Sequence, residues 1–161
     1  VCTTPDTDSE GMFDGDTSRN LFNRQGTNTY RIYAGAGVTG GTANVAMQVF
    51  TVVFNNGSPA LNINGSAQSL SGTNIGTSAL DDIVLGAFDG GSGKADYDVC
   101  EVLFYNKALS TSEISSVESY LNKKWGVYWA KNTMTTWIMG IINWLTLTII
   151  TPRYLLGLES R

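Results

Sequence analysis

Residues 98–126 read DVCEVLFYNKALSTSEISSVESYLNKKWG. The stretch falls into a strand, a tight connection, a capped helix and an aromatic stop. Val99, Glu101, Leu103 and Tyr105 share one face of the predicted strand, and Cys100, Val102 and Phe104 share the other. Ser110 is a good N-cap, and Glu113 stands three residues later, which makes a capping box. Ile114, Val117, Tyr120, Leu121 and Trp125 then recur at helical spacing and give the helix one apolar face. Gly126 is the expected stop.

This run resembles the closing signature of the concanavalin A-like, laminin-G-type jelly-roll domains. There a late core strand of the form (I/V)-x-E-(V/I)-(L/I)-x-Y-(N/D)-x-x-L-S leads into a short helix ending in YL-x-x-K-(W/Y)-G. Upstream, Gln48–Gly65 (QVFTVVFNNGSPALNING) is similar to the family's central hairpin. Ile83–Phe88 (IVLGAF) is similar to the strand in which a Leu-Gly pair precedes a loop. The resemblance spans Tyr30 to Tyr128. It implies an all-β fold, an antiparallel jelly-roll β-sandwich with one short helix after the last core strand. Complete members carry more strands ahead of the segment matching Tyr30. The sandwich is therefore expected to be trimmed, begun on a separate chain, or completed by a neighbour. The resemblance carries no ligand, because this fold serves lectins, adhesion modules, hydrolases and viral surface proteins alike.

Outward from the signature, three regions are expected: an irregular arm over 1–15, the sandwich over 16–128, and an apolar extension over 129–161. Strands are expected from Asn20, at Tyr30–Ala34, Ala46–Asn55, Ala60–Ile63, Gln68–Leu70, Ile83–Phe88 and Val99–Tyr105. The Asn55-Asn56-Gly57 turn joins the central pair. Gly35, Gly37 and Gly40 spell a literal GxGxxG. No βαβ unit surrounds it and no acidic residue lies at the needed distance, so it reads as a hairpin loop and not as a nucleotide site.

Composition narrows the function classes. The chain has 161 residues, 18 of them glycine, and a formal net charge of −4. The length suits one domain with its own core. Sparse, scattered Lys and Arg argue against nucleic acid, whose phosphates demand concentrated positive charge, and Lys123-Lys124 reads as the solvent face of the helix. The absence of histidine removes Ser-His-Asp catalysis, His-ligated zinc and a His general base together. Cys2 and Cys100 do not form a zinc pattern. Cys100 reads as a buried thiol, with a Cys2–Cys100 disulfide as the alternative in an extracellular setting. Val1 opens into the polar VCTTPDTDSEG with no visible secretory signal and no initiator Met, so a processed or incompletely represented chain is expected.

Candidate chemistry follows from side chains on loops. Hydrolases of this fold carry paired carboxylates on one strand as E-x-D-x-x-E, which this chain lacks. Glu101 is the only Glu in a predicted strand, and its expected role is structural, accepting loop backbone bonds or pairing with a cation. Glu113 is a capping residue and Glu118 is expected on the helix surface. The reading is thus non-enzymatic, with no required cofactor. A calcium site is the candidate for a metal, built by Asp89, Asp96 and Asp98 around a glycine-rich loop beside Asp81-Asp82; the competing reading is that Asp favours turns. For a glycan, Asn55, Asn56 and Tyr97 are the candidate loop contacts. Most other aromatics, Tyr30, Tyr33 and Phe88 among them, are expected to serve the core. Asn64-Gly65-Ser66 fits a glycosylation sequon and reads as a turn.

Thr133–Pro152, TMTTWIMGIINWLTLTIITP, carries no charge over roughly 20 residues, close to a bilayer-spanning length. Lys131 and Arg153 flank it. Its Thr, Asn and Gly residues lower its hydrophobicity, and Leu145–Ile149 alternates as a strand would. A membrane helix through 133–152 and an assembly arm or extra strands stand as equal expectations, ahead of an unnatural or misread tail, with Trp137, Ile141, Trp144 and Leu147 as its contact residues. In either case the segment is apolar surface that something must cover, which implies an oligomer or a membrane.

Two functional readings result. One is a surface recognition module presenting loops to a glycan, glycoprotein or protein on a cell or virion surface, in an extracellular setting. The other is a structural protein of a virus particle or other assembly, whose apolar tail ties subunits or membrane. A degenerate glycoside hydrolase is a weaker third.

Overall fold

The computed structural model describes residue 2, residues 10–15, 20–26 and 28–128. The last of these falls in a compact unit over Val1–Ala130. Residues 129–161, with the expected contacts Trp137, Ile141, Trp144 and Leu147, lie outside the described residues.

The described chain is mostly β, with two antiparallel sheets and one short helix. The strands are β1 (Gly11–Asp14), β2 (Leu21–Gln25), β3 (Thr29–Tyr33), β4 (Gly37–Gly40), β5 (Phe50–Val53), β6 (Ala60–Ile63), β7 (Ser66–Ala67) and β8 (Val84–Leu85). The larger sheet runs β4-β3-β2-β1-β8 and the smaller β5-β6-β7. A short 3-10 turn occupies Asp89–Gly91, and helix α1 spans Thr111–Trp125.

Alternation explains how the sheets share a core. On β3, Tyr30 and Ile32 are buried while their neighbours are half-buried. On β6, Leu61 and Ile63 are buried, and both join the cluster built on Met12, Phe13, Phe22, Tyr30, Ile32 and Val38. Aromatic rings bind the layers: Phe22 and Tyr30 lie 5.4 and 5.0 Å from Phe50, and Phe13 lies 5.9 Å from Phe54, centroid to centroid. The other face of the smaller sheet takes α1. Val49 and Leu121 are the buried centre of that contact, with Met47, Cys100, Val117, Val127 and Tyr128 around them.

On one side the two sheets are stitched together. Gly40 bridges Leu70, and Ser71 N donates to Thr39 O at 2.8 Å. The loop that follows is laced to the β3–β4 turn: Ala34 N and Ala36 N both donate to Ile75 O. Gly76 makes this approach feasible, because its φ is +87° and a Cβ there would stand 2.1 Å from Ala34 O.

Several expectations change. Residues 11–14 are not irregular: β1 is buried throughout and sits between β2 and β8. A strand buried on both faces shows no alternation to read. Gly37–Gly40 forms β4, so the glycine-rich stretch is a hairpin whose second arm is glycine-bounded strand. The strand expected at Gln68–Leu70 lies earlier, at Ser66–Ala67, with Leu70 making only a single bridge. The largest difference concerns Val99–Tyr105. Val99 makes one bridge to Cys2, and the remainder joins neither sheet.

The helix keeps its predicted ends. Ser110 Oγ accepts from Glu113 N, the Glu113 side chain accepts from Ser110 N, and Gly126 closes the helix in the left-handed conformation. Its inner face is a stripe of Ile114, Val117, Glu118 and Leu121. Glu118 is thus buried and not on the surface. It is satisfied there: Thr51 Oγ1 and Asn62 Nδ2 donate to its Oε1 at 2.7 and 2.8 Å. Tyr120 and Trp125 fall outside the stripe and stay exposed.

Candidate functional site

Opposite the stitched side, β5 and β8 are the edge strands of the two sheets among the described residues. Between them runs an apolar groove of about 680 Å³. Met12, Phe13 and Phe22 form its floor. Phe50 to Phe54 make one wall, and Leu85, Val99 and Glu101–Leu109 the other, while Ile114, Val117 and Leu121 of α1 reach it from behind. The volume lies within the range of ordinary ligand-binding clefts.

The wall at 102–105 has an unusual exposure. Val102, Leu103, Phe104 and Tyr105 are 41–50% exposed, on both of the faces that alternation would assign. Among the described residues none of their backbone groups forms a hydrogen bond. Phe104 is held by its ring alone, 5.4 Å from Phe13. Leu80, Leu85 and Val99, which also line the groove, are similarly exposed.

Cys2 shows how the groove is shaped. It bridges Gln48 and Val99, both antiparallel, and exchanges two hydrogen bonds with Gln48, at 3.1 and 2.8 Å. Gln48 and Val99 therefore stand two strand spacings apart, roughly 9–10 Å, with one strand between them at that level. From there β5 and 100–105 run in the same direction. Cys2 lines the groove and packs against the larger core, and burial pushes its thiol pKa up to about 11. Cys100, next to the bridged Val99, faces the opposite way, toward the helix-side cluster, where its Sγ lies 3.7 Å from Met47 Sδ. Both thiols are free. Neighbouring positions on a strand face opposite sides, which keeps Cys2 and Cys100 from pairing.

At the groove's outer rim, Glu101 ties the wall to α1. Trp125 Nε1 donates to Glu101 Oε2 at 2.8 Å, Tyr120 Oη donates to Oε1 at 3.0 Å, and Lys124 Nζ pairs with Oε2 at 3.1 Å. The Trp125 bond, followed by those from Lys124 and Tyr120, lowers the Glu101 pKa below the ordinary carboxylate value. A carboxyl held ionised in this way is unsuited to act as a general acid, whose pKa must be raised. Lys124 also lies 5.5 and 5.3 Å from the Tyr120 and Trp125 ring centroids.

The candidate glycan contacts do not form one constellation. Asn56 Oδ1 accepts from Ile75 N at 3.2 Å, and Asn55 O accepts from Ser58 N at 2.9 Å. Both serve the turn and its neighbouring loop, and neither lines the groove. Tyr97 does line it, but its hydroxyl donates to Met12 O at 2.6 Å. Burial pushes the Tyr97 pKa up to about 12. The tyrosine is a strut between loop and β1. Of the candidate calcium ligands, Asp89 opens the 3-10 turn, and Asp96 and Asp98 are exposed. Among the described residues no group of three or more His, Cys, Asp or Glu side chains gathers. Nor is any described helix long and apolar enough to cross a membrane.

Sequence reading did not find the groove, because its lining comes from β1, β2, β5, β8, residues 99–109 and α1, which no local pattern brings together.

Compared with known proteins, the chain matches no family model, no curated protein and no solved structure.

Proposed function

We propose that this chain is a non-catalytic recognition module of the jelly-roll β-sandwich class, and that it recognises polypeptide through the groove between β5 and residues 99–109. The observation that carries the reading is the four-residue run Val102–Tyr105, apolar, 41–50% exposed and without backbone partners among the described residues. An added strand satisfies both needs at once: it covers apolar side chains and pairs main-chain groups, the mode by which sheet edges bind extended peptides. A glycan would satisfy neither, since it calls for exposed polar groups around a flat aromatic surface. The engaged Glu101 carboxylate supports a non-enzymatic role. The resemblance of 98–126 to the laminin-G-type signature supports the sandwich assignment and a place at a cell or virion surface.

A structural role in a virus particle or other assembly is the second reading. It is favoured by the charge-free run 133–152, apolar surface that needs cover.

The test is selection of displayed random peptides on the full chain, in parallel with a glycan array. We expect enriched peptides to be extended, apolar at alternate positions, and at least tenfold weaker on a Phe104→Asp variant. Glycan hits that survive Phe104→Asp, with no peptide enriched, would sink the proposal.

A further inference from the structure

The larger sheet has a second face, turned away from the core. On β3 that face carries Thr29, Arg31 and Tyr33, because Tyr30 and Ile32 point inward. The register sets Thr39 of β4 opposite Arg31, and Gly37 opposite Tyr33. Tyr33 is therefore half-buried on the outside of the sheet, and not in the core where the sequence puts it. Leu21, Asn23 and Gln25 of β2 share this face, so Arg31 is the one charged residue that β2, β3 and β4 place there.

The Arg31 guanidinium has a seat. Its Cζ lies 4.7 Å from the centroid of the Tyr33 ring. It also takes the space above Gly37, where a Cβ would stand 2.6 Å from Arg31 Nε and 3.0 Å from a terminal nitrogen. Glycine at 37, the middle of the GxGxxG spelling, makes room for the guanidinium plane. Stacking on an aromatic ring holds the arginine fork in one orientation. Among the described residues no carboxylate pairs with the fork and no acceptor takes its hydrogen bonds.

Two hydroxyls stand beside it. Ser71 Oγ accepts from Thr39 N at 2.9 Å and from Thr39 Oγ1 at 3.4 Å. The Ser71 hydroxyl proton is left to donate, and Thr39 Oγ1 is left to accept. Gly37 and Thr39 are two residues apart on β4, roughly 7 Å, a gap that one sugar ring bridges. The chemistry selects the ligand. A planar fork with unpaired donors matches a carboxylate through two parallel bonds. One positive charge, with no second cation on the face, matches a monoanion. A hydroxyl pair that both donates and accepts matches sugar hydroxyls. We infer that Arg31, Tyr33, Thr39 and Ser71 form a binding site for a carboxylate-bearing sugar, of the uronic or sialic acid class. None of these residues lines the groove, so the site adds a second ligand to the recognition reading and does not depend on it.

The experiment is a nuclear magnetic resonance titration of the isotopically labelled full chain with glucuronate and, separately, with N-acetylneuraminate. The Arg31 Nε–H signal and the amides of Gly37, Thr39 and Ser71 report binding. We expect saturable shifts at these positions with at least one of the two sugars, at a dissociation constant on the order of 1 mM, and none with glucose. Arg31→Gln, and Arg31→Lys which keeps the charge but loses the fork, are each expected to weaken binding at least tenfold. Gly37→Ala is the discriminating variant. It leaves every charge in place and crowds only the far end of a flexible side chain, so the fold survives while the guanidinium is displaced. At least fivefold weaker binding is expected, with the thermal unfolding midpoint kept. Phe104→Asp is expected to leave sugar binding intact, which separates this site from the groove. Absence of a saturable shift in millimolar sugar acid would overturn the inference. Equal shifts with glucose, or an affinity indifferent to Gly37→Ala, would overturn it too. Tighter binding of a sulfated glucose than of either sugar acid would make the carboxylate assignment wrong.

Discussion

Glu118 shows how one residue can reverse its reading. On the helix it sits one place after Val117 and three before Leu121, and in sequence it passes for surface charge. In the fold it is 5% exposed and its Oε1 accepts from Thr51 and Asn62. These two donors sit on adjacent, paired strands, where Thr51 faces Asn62 across the ladder. A single carboxylate oxygen thus pins α1 to both. Hydrogen bonds to a charged group contribute about 1.5–3 kcal/mol, and leaving a buried donor unpaired costs a similar amount. Glu118→Ala is therefore expected to lose about 2 kcal/mol in urea unfolding. Glu118→Gln, which keeps an acceptor oxygen, is expected to lose clearly less; equal losses would mean that only packing is at stake. The polar partners were unreadable because they lie more than fifty positions away in the chain, and no local pattern records them.

At the scale of elements, the most legible piece was α1, because its signals are all local. Ser110, Glu113 and Gly126 each act within four residues, and all three take the predicted roles. Ser110→Ala is expected to cost about 1 kcal/mol, read from helical circular dichroism during thermal unfolding. The same cap gives a pH dependence. Bonds from Lys107, then from Ser110, lower the Glu113 pKa to about 2 from the ordinary 4.5. Since the folded value is the lower one, the cap's contribution is complete above about pH 4.5 and fades as pH falls toward about 2. Helix signal in a Glu113→Gln variant should lose that acid-dependent component; an unchanged acid profile would show that other carboxylates control it. Strands were less legible. β6 matched its predicted limits, since Asn55–Gly57 and Asn64-Gly65 bracket an alternating run. β1 was missed, because a buried Met12-Phe13 pair between acidic residues offers too little pattern. At 99–105 the opposite holds: the alternation is clear, but a strand needs a partner as well as a pattern, and none of the described residues supplies one beyond Val99.

Across the whole molecule, two apolar clusters divide the labour. The larger one joins β1–β4 to β6, while the cluster under α1 has only Val49 and Leu121 at its buried centre. Opening free energies follow the number of buried contacts a unit must lose. Native-state hydrogen exchange at low denaturant is thus expected to show α1 opening as a unit below the global free energy, with Tyr30 and Ile32 of β3 exchanging only on full unfolding. Matching values for α1 and β3 would indicate a single cooperative unit instead. The two-sheet, one-helix plan was legible from turns and periodicity. The groove was not, since it depends on how distant segments meet in the fold.

The double bridge at Cys2 has a consequence for the order of folding. Its partners Gln48 and Val99 lie far along the chain, so each pairing closes a long loop. Loop-closure entropy must be overcome before such contacts are rewarded. The Cys2 bridges are therefore expected to form after the local β2–β3 and β5–β6 hairpins.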